Sequence, residues 1–299
     1  MTDSTSVPAT AAAPAVAARF LITGASGMLG RDLQRALAGR EVTALDRTAL
    51  DITDPAAVEA AVAGHDVVIN AAAYTNVDGA ETDEATAFAV NATGPGVLAT
   101  AAAKHGARLV HVSTDYVFRG DAASPYAEGA AHDPISAYGR TKAAGEKAVR
   151  DALPDASYIV RTAWLYGADG PNFAKTMARL AASKPEVSVV SDQLGQPTYS
   201  ADLAAQIVAL VDSSAPAGIY HGTNAGIASW YDFAKEIFRL AGFDPENVKE
   251  TDSSAFVRPA PRPAYSVLGH EAWANAGVPP MRPWLDALED AAAQGVLRA

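Results

Sequence analysis

The chain has 299 residues, of which 49% are hydrophobic and 19% charged, a balance ordinary for a soluble globular protein with one large core or two smaller ones. Its formal net charge of −11 argues against a protein that tracks nucleic-acid phosphates or binds an anionic membrane. The absence of cysteine excludes disulfides, thiol chemistry and cysteine-ligated metals. Residues 1–18 lack the basic start and apolar centre of a signal peptide, and no apolar run approaches the roughly 20 residues that span a bilayer. We therefore expect residues 1–18 to be a disordered tail, and the protein to be cytoplasmic with no membrane segment.

The first predicted element is a short apolar strand, residues 19–23, followed at once by a glycine-rich turn and then by helical periodicity. Strand, glycine turn and helix in that order are typical of a dinucleotide-binding unit, because glycines let the backbone approach a pyrophosphate at a helix N-terminus. A tight turn that binds nothing is the alternative. The cofactor contacts expected in this turn are Gly24, Ser26, Gly27, Met28, Leu29 and Gly30.

A second predicted strand ends in Asp46 and Arg47. An acidic residue about 20 positions beyond the glycines receives the ribose 2′-hydroxyl of NAD, whereas a nearby arginine suits the 2′-phosphate of NADP. Because both residues are present, the sequence leaves the choice between NADH and NADPH open. Another helix is predicted from Pro55, with Thr53 or Asp54 as its N-cap.

A third strand, residues 65–70, ends in small side chains that leave room for a ligand at the carboxyl edge of a parallel sheet. A helix of about 84–105 and a fourth strand, 108–112, follow. Strands that alternate with helices indicate right-handed βαβ units, so we predict an α/β fold with a Rossmann-like, doubly wound parallel sheet. Further cofactor contacts are expected from Asp51, Ile52, Ala71, Ala72, Ala73 and Tyr74.

Tyr138 and Lys142 stand four residues apart and share one face of a predicted helix. A fixed ammonium favours the phenolate and so lowers the pKa of a phenol from its ordinary value of about 10. An exposed helical pair is the alternative, since this spacing is common. Thr114, at the end of the fourth strand, offers a hydroxyl partner; a hydroxyl that only caps the strand end is its alternative.

The glycine spacing, the strand-end hydroxyl and Tyr-x-x-x-Lys together resemble the extended short-chain dehydrogenases/reductases. Several longer stretches resemble, within that superfamily, the dTDP-4-dehydrorhamnose reductases, and the resemblance runs from about residue 19 to the C-terminus. These stretches are 71–78 with Ala80 and Glu81, 113–118, 138–142 with Gly145 and Glu146, 161–167, 192–198, and 258–263 with Ser266 and Leu268.

The resemblance implies reduction of the C4 ketone of a dTDP-6-deoxy-4-keto-hexose by hydride from NADPH or NADH. A ketone that accepts hydride becomes an alkoxide, so it needs a proton donor and hydrogen bonds in place as charge develops. Tyr138 is the expected acid, and Lys142 is expected to lower its pKa and, by the resemblance, to hold the nicotinamide ribose. Thr114 is expected to hydrogen-bond the carbonyl oxygen or the phenol.

Three further residues are substrate candidates. Asp115 either holds a sugar hydroxyl or acts as a turn residue that binds its own backbone. By the resemblance Trp164 packs on the sugar ring, and a core tryptophan is the alternative. Arg258, with Arg262 in a proline-stiffened loop, is expected to bind the diphosphate, unless the loop is simply solvated.

The domain division expected from these patterns is an NAD(P)-binding Rossmann domain over 19–165 and a smaller substrate lobe over 166–299, interleaved with the sheet. Some reductases of this kind bind Mg²⁺ through glutamates, one of them shortly after the glycine turn. Asp32 stands in that region here, so a Mg²⁺ requirement is left open. Asn91 either supports a proton-relay water or pairs with a neighbouring loop. A homodimer is compatible with the sequence but not determined by it.

The leading hypothesis is the last step of dTDP-rhamnose biosynthesis, in which dTDP-4-dehydro-6-deoxy-L-mannose is reduced to dTDP-L-rhamnose. A 4-ketoreductase for another dTDP-deoxysugar in natural-product glycosylation would use the same reacting groups. A non-catalytic NADP-binding regulatory subunit is the alternative from another class, against which the intact Thr114, Tyr138 and Lys142 weigh.

Overall fold

The computed structural model describes residues 18–298, so the tail predicted over 1–18 lies outside the described residues except for Ala18. Strands and helices alternate through the first half of the chain. They are β1 (Arg19–Thr23), α1 (Met28–Ala36), β2 (Glu41–Leu45), α2 (Pro55–Val62), β3 (Val67–Asn70), α3 (Val77–Ala80), α4 (Glu84–Phe88), α5 (Gly94–His105), β4 (Arg108–Thr114), α6 (Ala137–Ala152) and β5 (Ser157–Thr162).

The second half has shorter strands between its helices. Its elements are β6 (Leu165–Tyr166), α7 (Phe173–Ser183), β7 (Val187–Val190), β8 (Leu194–Gly195), β9 (Thr198–Tyr199), α8 (Ser200–Asp212), β10 (Gly218–His221), β11 (Ala228–Ser229), α9 (Trp230–Leu240), β12 (Val248–Thr251), α10 (Glu271–Asn275) and α11 (Trp284–Ala293). Within residues 18–298, none of these helices combines the length and apolar character that crossing a membrane requires.

Six parallel strands form the central sheet in the order β10-β5-β4-β3-β1-β2. The chain runs outward from β1 to β2 and then returns to place β3 on the other side of β1. This reversal is a topological switch point, and a crevice opens there at the carboxyl ends of the strands. The predicted doubly wound parallel sheet is therefore confirmed, and β10 joins it from the second half of the chain.

Both faces of the sheet are covered, which is why its central strands are almost continuous runs of apolar residues. On one face α1 and α8 pack through Leu33, Leu203 and Ile207, and on the other α2 and α5 pack through Val58 and Leu98. A separate hydrophobic core joins α7, α9 and α11 to β7 and β12.

Local sequence accounts for several element boundaries. Asp54 caps α2 by accepting hydrogen bonds from two backbone N–H groups, and Ser229 caps α9 in a reciprocal pair with Asp232. The helix predicted over 84–105 is interrupted by a π-helical turn, Ala89–Thr93, which holds the buried Asn91.

Candidate active site

The glycine turn between β1 and α1 is packed too tightly for side chains at two of its positions. Gly24 has φ +71, and a Cβ there would lie 2.6 Å from the backbone nitrogen of Ala72. A Cβ on Gly30 would lie 2.3 Å from the carbonyl oxygen of Gly24. At the N-cap, Gly27, no side chain of the described residues satisfies the first N–H groups of α1. The turn therefore presents free N–H groups and the positive end of a helix dipole, which fit a pyrophosphate.

A cavity of about 1100 Å³ opens in front of this turn at the switch point of the sheet. It extends from the glycine turn to Trp164 and Pro171, and reaches the side chains at the ends of β3, β4 and β5. All but two of the residues predicted to bind cofactor or substrate line it, the two exceptions being Asp46 and Arg258. Those lining it are Gly24, Ser26, Gly27, Met28, Leu29, Gly30, Arg47, Asp51, Ile52, Ala71, Ala72, Ala73, Tyr74, Thr114, Asp115, Tyr138, Lys142 and Trp164.

Asp46 lines a smaller cavity of about 430 Å³, which shares Ser26 with the first. One of its carboxylate oxygens accepts hydrogen bonds from the backbone N–H and the hydroxyl of Thr48, at 2.9 and 2.6 Å. Arg31 and Gln34 from α1 line the same cavity. No sequence motif indicates these two residues, because the glycine pattern ends at Gly30 and they lie beyond it on α1.

Lys142 is almost fully buried one helical turn beyond Tyr138 on α6, and its Nζ donates to the carbonyl oxygen of Val112 at 2.7 Å. Burial lowers the pKa of Lys142 to about 8, although the charge of Glu146 opposes the change. The charge of Lys142 is therefore expected to change with pH in the range around pH 8.

The phenol of Tyr138 is buried against the edge of Tyr116, with ring centroids 5.6 Å apart. Burial raises the pKa of Tyr138, the charge of Asp115 adds to this, and the hydroxyl of Thr114 opposes it. The expected lowering of the Tyr138 pKa by Lys142 is not seen, since Lys142 is not among the groups that shift this pKa. Tyr138 consequently remains protonated at neutral pH, which is the form that a proton donor requires.

Thr114 ends β4 and both donates and accepts hydrogen bonds. Its hydroxyl accepts from the backbone N–H of Tyr116 at 3.2 Å and donates to Asp115 Oδ1 at 2.8 Å. The Thr114 hydroxyl therefore does cap the strand end, as the alternative interpretation predicts. Thr114 nevertheless also lines the cavity.

Asp115 is 2% exposed, and this burial raises its pKa to about 6. The nearby hydroxyls of Ser266 and Thr114 favour the carboxylate and partly oppose the increase. In the part of the chain that the structure describes, its Oδ2 has no partner of good hydrogen-bond geometry. A buried acceptor without a partner on a cavity wall fits a hydroxyl-bearing ligand.

Asn91 pairs with the neighbouring loop. Its side-chain oxygen accepts from the backbone N–H of Tyr74 at 2.8 Å, and its amide donates to the carbonyl of Tyr74 at 3.0 Å. The same amide donates to Thr141 Oγ1 at 3.1 Å. These contacts tie the π-helical turn to α6 and to a cavity-lining backbone segment, which accounts for a buried polar side chain at this position.

The arginine loop is held against α3. Arg262 forms an ion pair with Asp78 at 2.9 Å, and Arg258, with a side chain that is 60% exposed, approaches the same carboxylate at 3.8 Å. The structure places Arg258 outside the cavity lining, so its contact with a diphosphate stays a prediction.

Asp32, the candidate for a Mg²⁺ ligand, is paired with an arginine. Asp32 accepts hydrogen bonds from Arg35 and from Ser200, both at 2.5 Å, and Arg35 also pairs with Asp169. Over residues 18–298, no group of three or more His, Asp or Glu side chains is placed to hold a metal ion. The residues around Asp32 therefore do not fit a Mg²⁺ site.

A free helix N-terminus at the switch point, beside a buried Tyr-x-x-x-Lys pair and a strand-end threonine, defines an NAD(P)-dependent oxidoreductase of the short-chain dehydrogenase/reductase class. Residues 18–296 match the profile of the family described as RmlD substrate binding domain. The chain belongs to this family, and the resemblance seen in its motifs is confirmed.

Relatives and solved structures agree with this assignment. The chain is 54% identical to a probable dTDP-4,6-dihydroxy-2-methyloxan-3-one 4-ketoreductase of Streptomyces antibioticus, over 91% of this chain and 94% of that protein. It is also 54% identical to a dTDP-4-dehydrorhamnose reductase of Streptomyces griseus, over 91% and 92%. The structure of a dTDP-4-dehydrorhamnose reductase from Bacillus anthracis in complex with NADP matches with a TM-score of 0.90 and 41% identity, covering 93% of this chain and 100% of that one.

Proposed function

We propose that this chain reduces the C4 ketone of dTDP-4-dehydro-6-deoxy-L-mannose with NAD(P)H and forms dTDP-L-rhamnose. The observation that carries the proposal is the buried phenol of Tyr138 in the same cavity as the open N-terminus of α1. A proton donor and a dinucleotide-binding turn that face one cavity meet the two needs of a ketone reduction.

The cofactor, when bound, supplies the hydride. The glycine turn and the first N–H groups of α1 hold its pyrophosphate, and Lys142 lies within the same cavity to orient the nicotinamide ribose. Tyr138 donates its phenolic proton to the oxygen that becomes an alkoxide, and Thr114 hydrogen-bonds that oxygen. Because the site is buried, these polar groups stabilise the developing charge more strongly than they would in water.

Two arginines favour NADPH over NADH. Arg47 lines the main cavity and Arg31 the adjoining one, so each of the two cavities that meet at Ser26 has a cationic side chain that could pair with a 2′-phosphate. Asp46 already closes its own turn through Thr48. The NADP complex of the Bacillus anthracis relative supports the same preference.

On the sugar side, Asp115 offers its unpartnered oxygen to a hydroxyl and Trp164 provides an apolar wall. Arg258, in the loop beside α3 and outside the cavity lining, is our candidate for the diphosphate contact. Residues 166–299 contribute Gly170 and Pro171 to the cavity lining, and we assign them the role of the substrate lobe. We place the enzyme in the cytoplasm, with a homodimer as the assembly to test.

The proposed sugar substrate has one main alternative, another dTDP-deoxysugar. The two relatives that are 54% identical to this chain carry the names of reductases for different dTDP-sugars. A reductase for another dTDP-deoxysugar would use the same Tyr138, Lys142 and Thr114, so the choice depends on the sugar side of the cavity.

The test follows NADPH and NADH oxidation with a panel of dTDP-4-keto sugars. We expect the highest kcat/KM with dTDP-4-dehydro-6-deoxy-L-mannose, and a Tyr138→Phe variant that binds NADPH normally but loses turnover. A higher kcat/KM with another sugar would support the competing reductase. Wild-type protein that binds NADPH yet oxidises none with any sugar would be a regulatory subunit instead.

A further inference from the structure

We propose that Trp230 is a positioning residue for the sugar site: with the bare backbone of Gly195, it holds the indole of Trp164 in one place on the cavity wall and thereby sets which hexose ring is accepted. The inference rests on the proposed function, since it concerns the sugar side of the same cavity. Trp230 itself does not line that cavity.

The two indoles are stacked face to face. Their ring centroids lie 3.6 Å apart and their planes differ by 11°, so Trp230 covers one face of Trp164. Trp230 also packs against Phe173, with ring centroids 4.5 Å apart and planes tilted by 53°. The supporting ring is thus held in turn by the core of the second half of the chain.

The backbone of Trp164 is also constrained. Its φ of +45 is the only positive φ of a non-glycine residue within 18–298. A bulky residue adopts this conformation only when its surroundings impose it, and such residues cluster at functional sites. The carbonyl of Trp164 accepts a hydrogen bond from the backbone of Thr198 at 3.2 Å, which anchors the turn that carries the indole.

Gly195 approaches the same indole so closely that a side chain would not fit. A Cβ at Gly195 would lie 2.6 Å from Cε2 of Trp164. Gly195 pairs with Ala228 in the two-stranded ribbon β8–β11, and α9 begins with Trp230 directly after β11. The β8–β11 ribbon therefore positions both the ring of Trp230 and the backbone of Gly195 against Trp164.

A held indole selects among sugars by shape. If Trp164 could rotate, the wall would adapt to many hexoses. With Trp230 stacked on one face and Gly195 close to its Nε1, Cε2 and Cζ2 atoms, the indole offers one fixed surface to the sugar ring. The ligand class is a nucleotide-linked 6-deoxy-4-ketohexose. Substitution of Trp230 or Gly195 should leave cofactor binding unchanged. Neither residue lines the cavity, at the glycine turn or at the strand ends beside that turn.

The experiment compares Trp230→Ala, Trp230→Phe and Gly195→Ala with wild type and with Phe243→Ala, which removes an exposed aromatic ring just beyond α9. We expect Trp230→Ala and Gly195→Ala to raise the KM for the sugar nucleotide by about tenfold, the size of a lost aromatic contact, with a smaller change in kcat and an unchanged Kd for NADPH. Trp230→Phe should recover most of the loss. Near-ultraviolet circular dichroism should show the coupled signal of stacked indoles in wild type and lose it in Trp230→Ala.

Two results would overturn the inference while leaving the proposed function standing. One is a Trp230→Ala enzyme with wild-type KM values for every sugar in the panel. The other is a parallel loss of NADPH binding, sugar binding and thermal stability that phenylalanine does not rescue, which would make Trp230 merely structural. If wild-type protein reduces no dTDP-4-keto sugar at all, the proposed function fails first and this inference fails with it.

Discussion

Arg161 and Glu146 form a buried ion pair that joins α6, the helix of Tyr138 and Lys142, to the central sheet. Arg161 Nη2 lies 2.7 Å from Glu146 Oε2, and each side chain is 1% exposed. Glu146 stands one turn beyond Lys142 on α6, whereas Arg161 belongs to β5. Burial alone would raise the pKa of Glu146, but hydrogen bonds from His132 and Arg161 and the charge of Arg161 outweigh it and hold that pKa well below its ordinary range.

Glu146→Ala should therefore lower the free energy of unfolding by about 3–5 kcal/mol, because it leaves the Arg161 charge buried without its partner. Urea denaturation measures the change. The matched control is Lys147→Ala, which breaks the exposed pair with Asp151 and should cost no more than about 1 kcal/mol. Equal stability of the two variants would contradict the structural role assigned to the pair.

The buried carboxyl of Asp115 should make the fold less stable as the pH rises. Burial lifts its pKa from 3.8 to about 6, so the folded chain holds this proton more tightly than the unfolded chain does. The stabilising contribution of the protonated carboxyl is therefore lost as the pH rises from 3.8 through about 6. Above pH 6 the free energy of unfolding is lower by about 3 kcal/mol. Asp115→Asn should raise the Tm at neutral pH and reduce the activity if the carboxylate binds a sugar hydroxyl. Melting curves on both sides of this window check the prediction; an unchanged or lower Tm at neutral pH would refute it.

The pKa of Lys142 predicts an upper pH limit for catalysis. Since burial lowers this pKa to about 8, the ammonium loses its proton as pH rises through that value. The free enzyme then lacks the charge that orients the cofactor ribose, so kcat/KM for ketone reduction should fall above about pH 8. Lys142→Arg keeps a cation at all accessible pH values, because a guanidinium has a pKa above about 12, and should remove this limb of the profile, whatever its absolute rate. A wild-type profile that stays flat beyond pH 9 would exclude the role.

The lining of the cavity near the glycine turn could be predicted from the sequence because its signals are local. Each signal belongs to a short stretch of backbone whose geometry is determined by neighbouring residues. These stretches are the glycine turn, the small residues 71–73 and the strand end at Thr114. The sheet then brings these stretches together, since parallel strands end at one edge.

Contacts between distant elements could not be predicted in this way. The raised pKa of Tyr138 depends on its burial against Tyr116 and on the charge of Asp115, neither of which the Tyr-x-x-x-Lys spacing encodes. Nothing in the spacing of Trp164 and Trp230 indicates that their rings stack, because the ribbon that precedes Trp230 and brings Gly195 to Trp164 comprises two-residue strands. Such short pairings carry too few residues for a hydrophobic period.

A last prediction concerns divalent metal. Both oxygens of Asp32 already accept short hydrogen bonds, from Arg35 and Ser200, and the guanidinium of Arg35 bridges Asp32 to Asp169. Because Arg35 supplies the positive charge here, EDTA should leave kcat/KM with NADPH unchanged, and added Mg²⁺ should not raise the Tm. Arg35→Ala should lower the Tm by leaving the buried Asp32 carboxylate without its cation, whereas Arg40→Ala, which breaks an exposed pair with Asp212, should have little effect. Activity that disappears with EDTA and returns with Mg²⁺ would show that a metal site exists elsewhere in the enzyme or in its assembly.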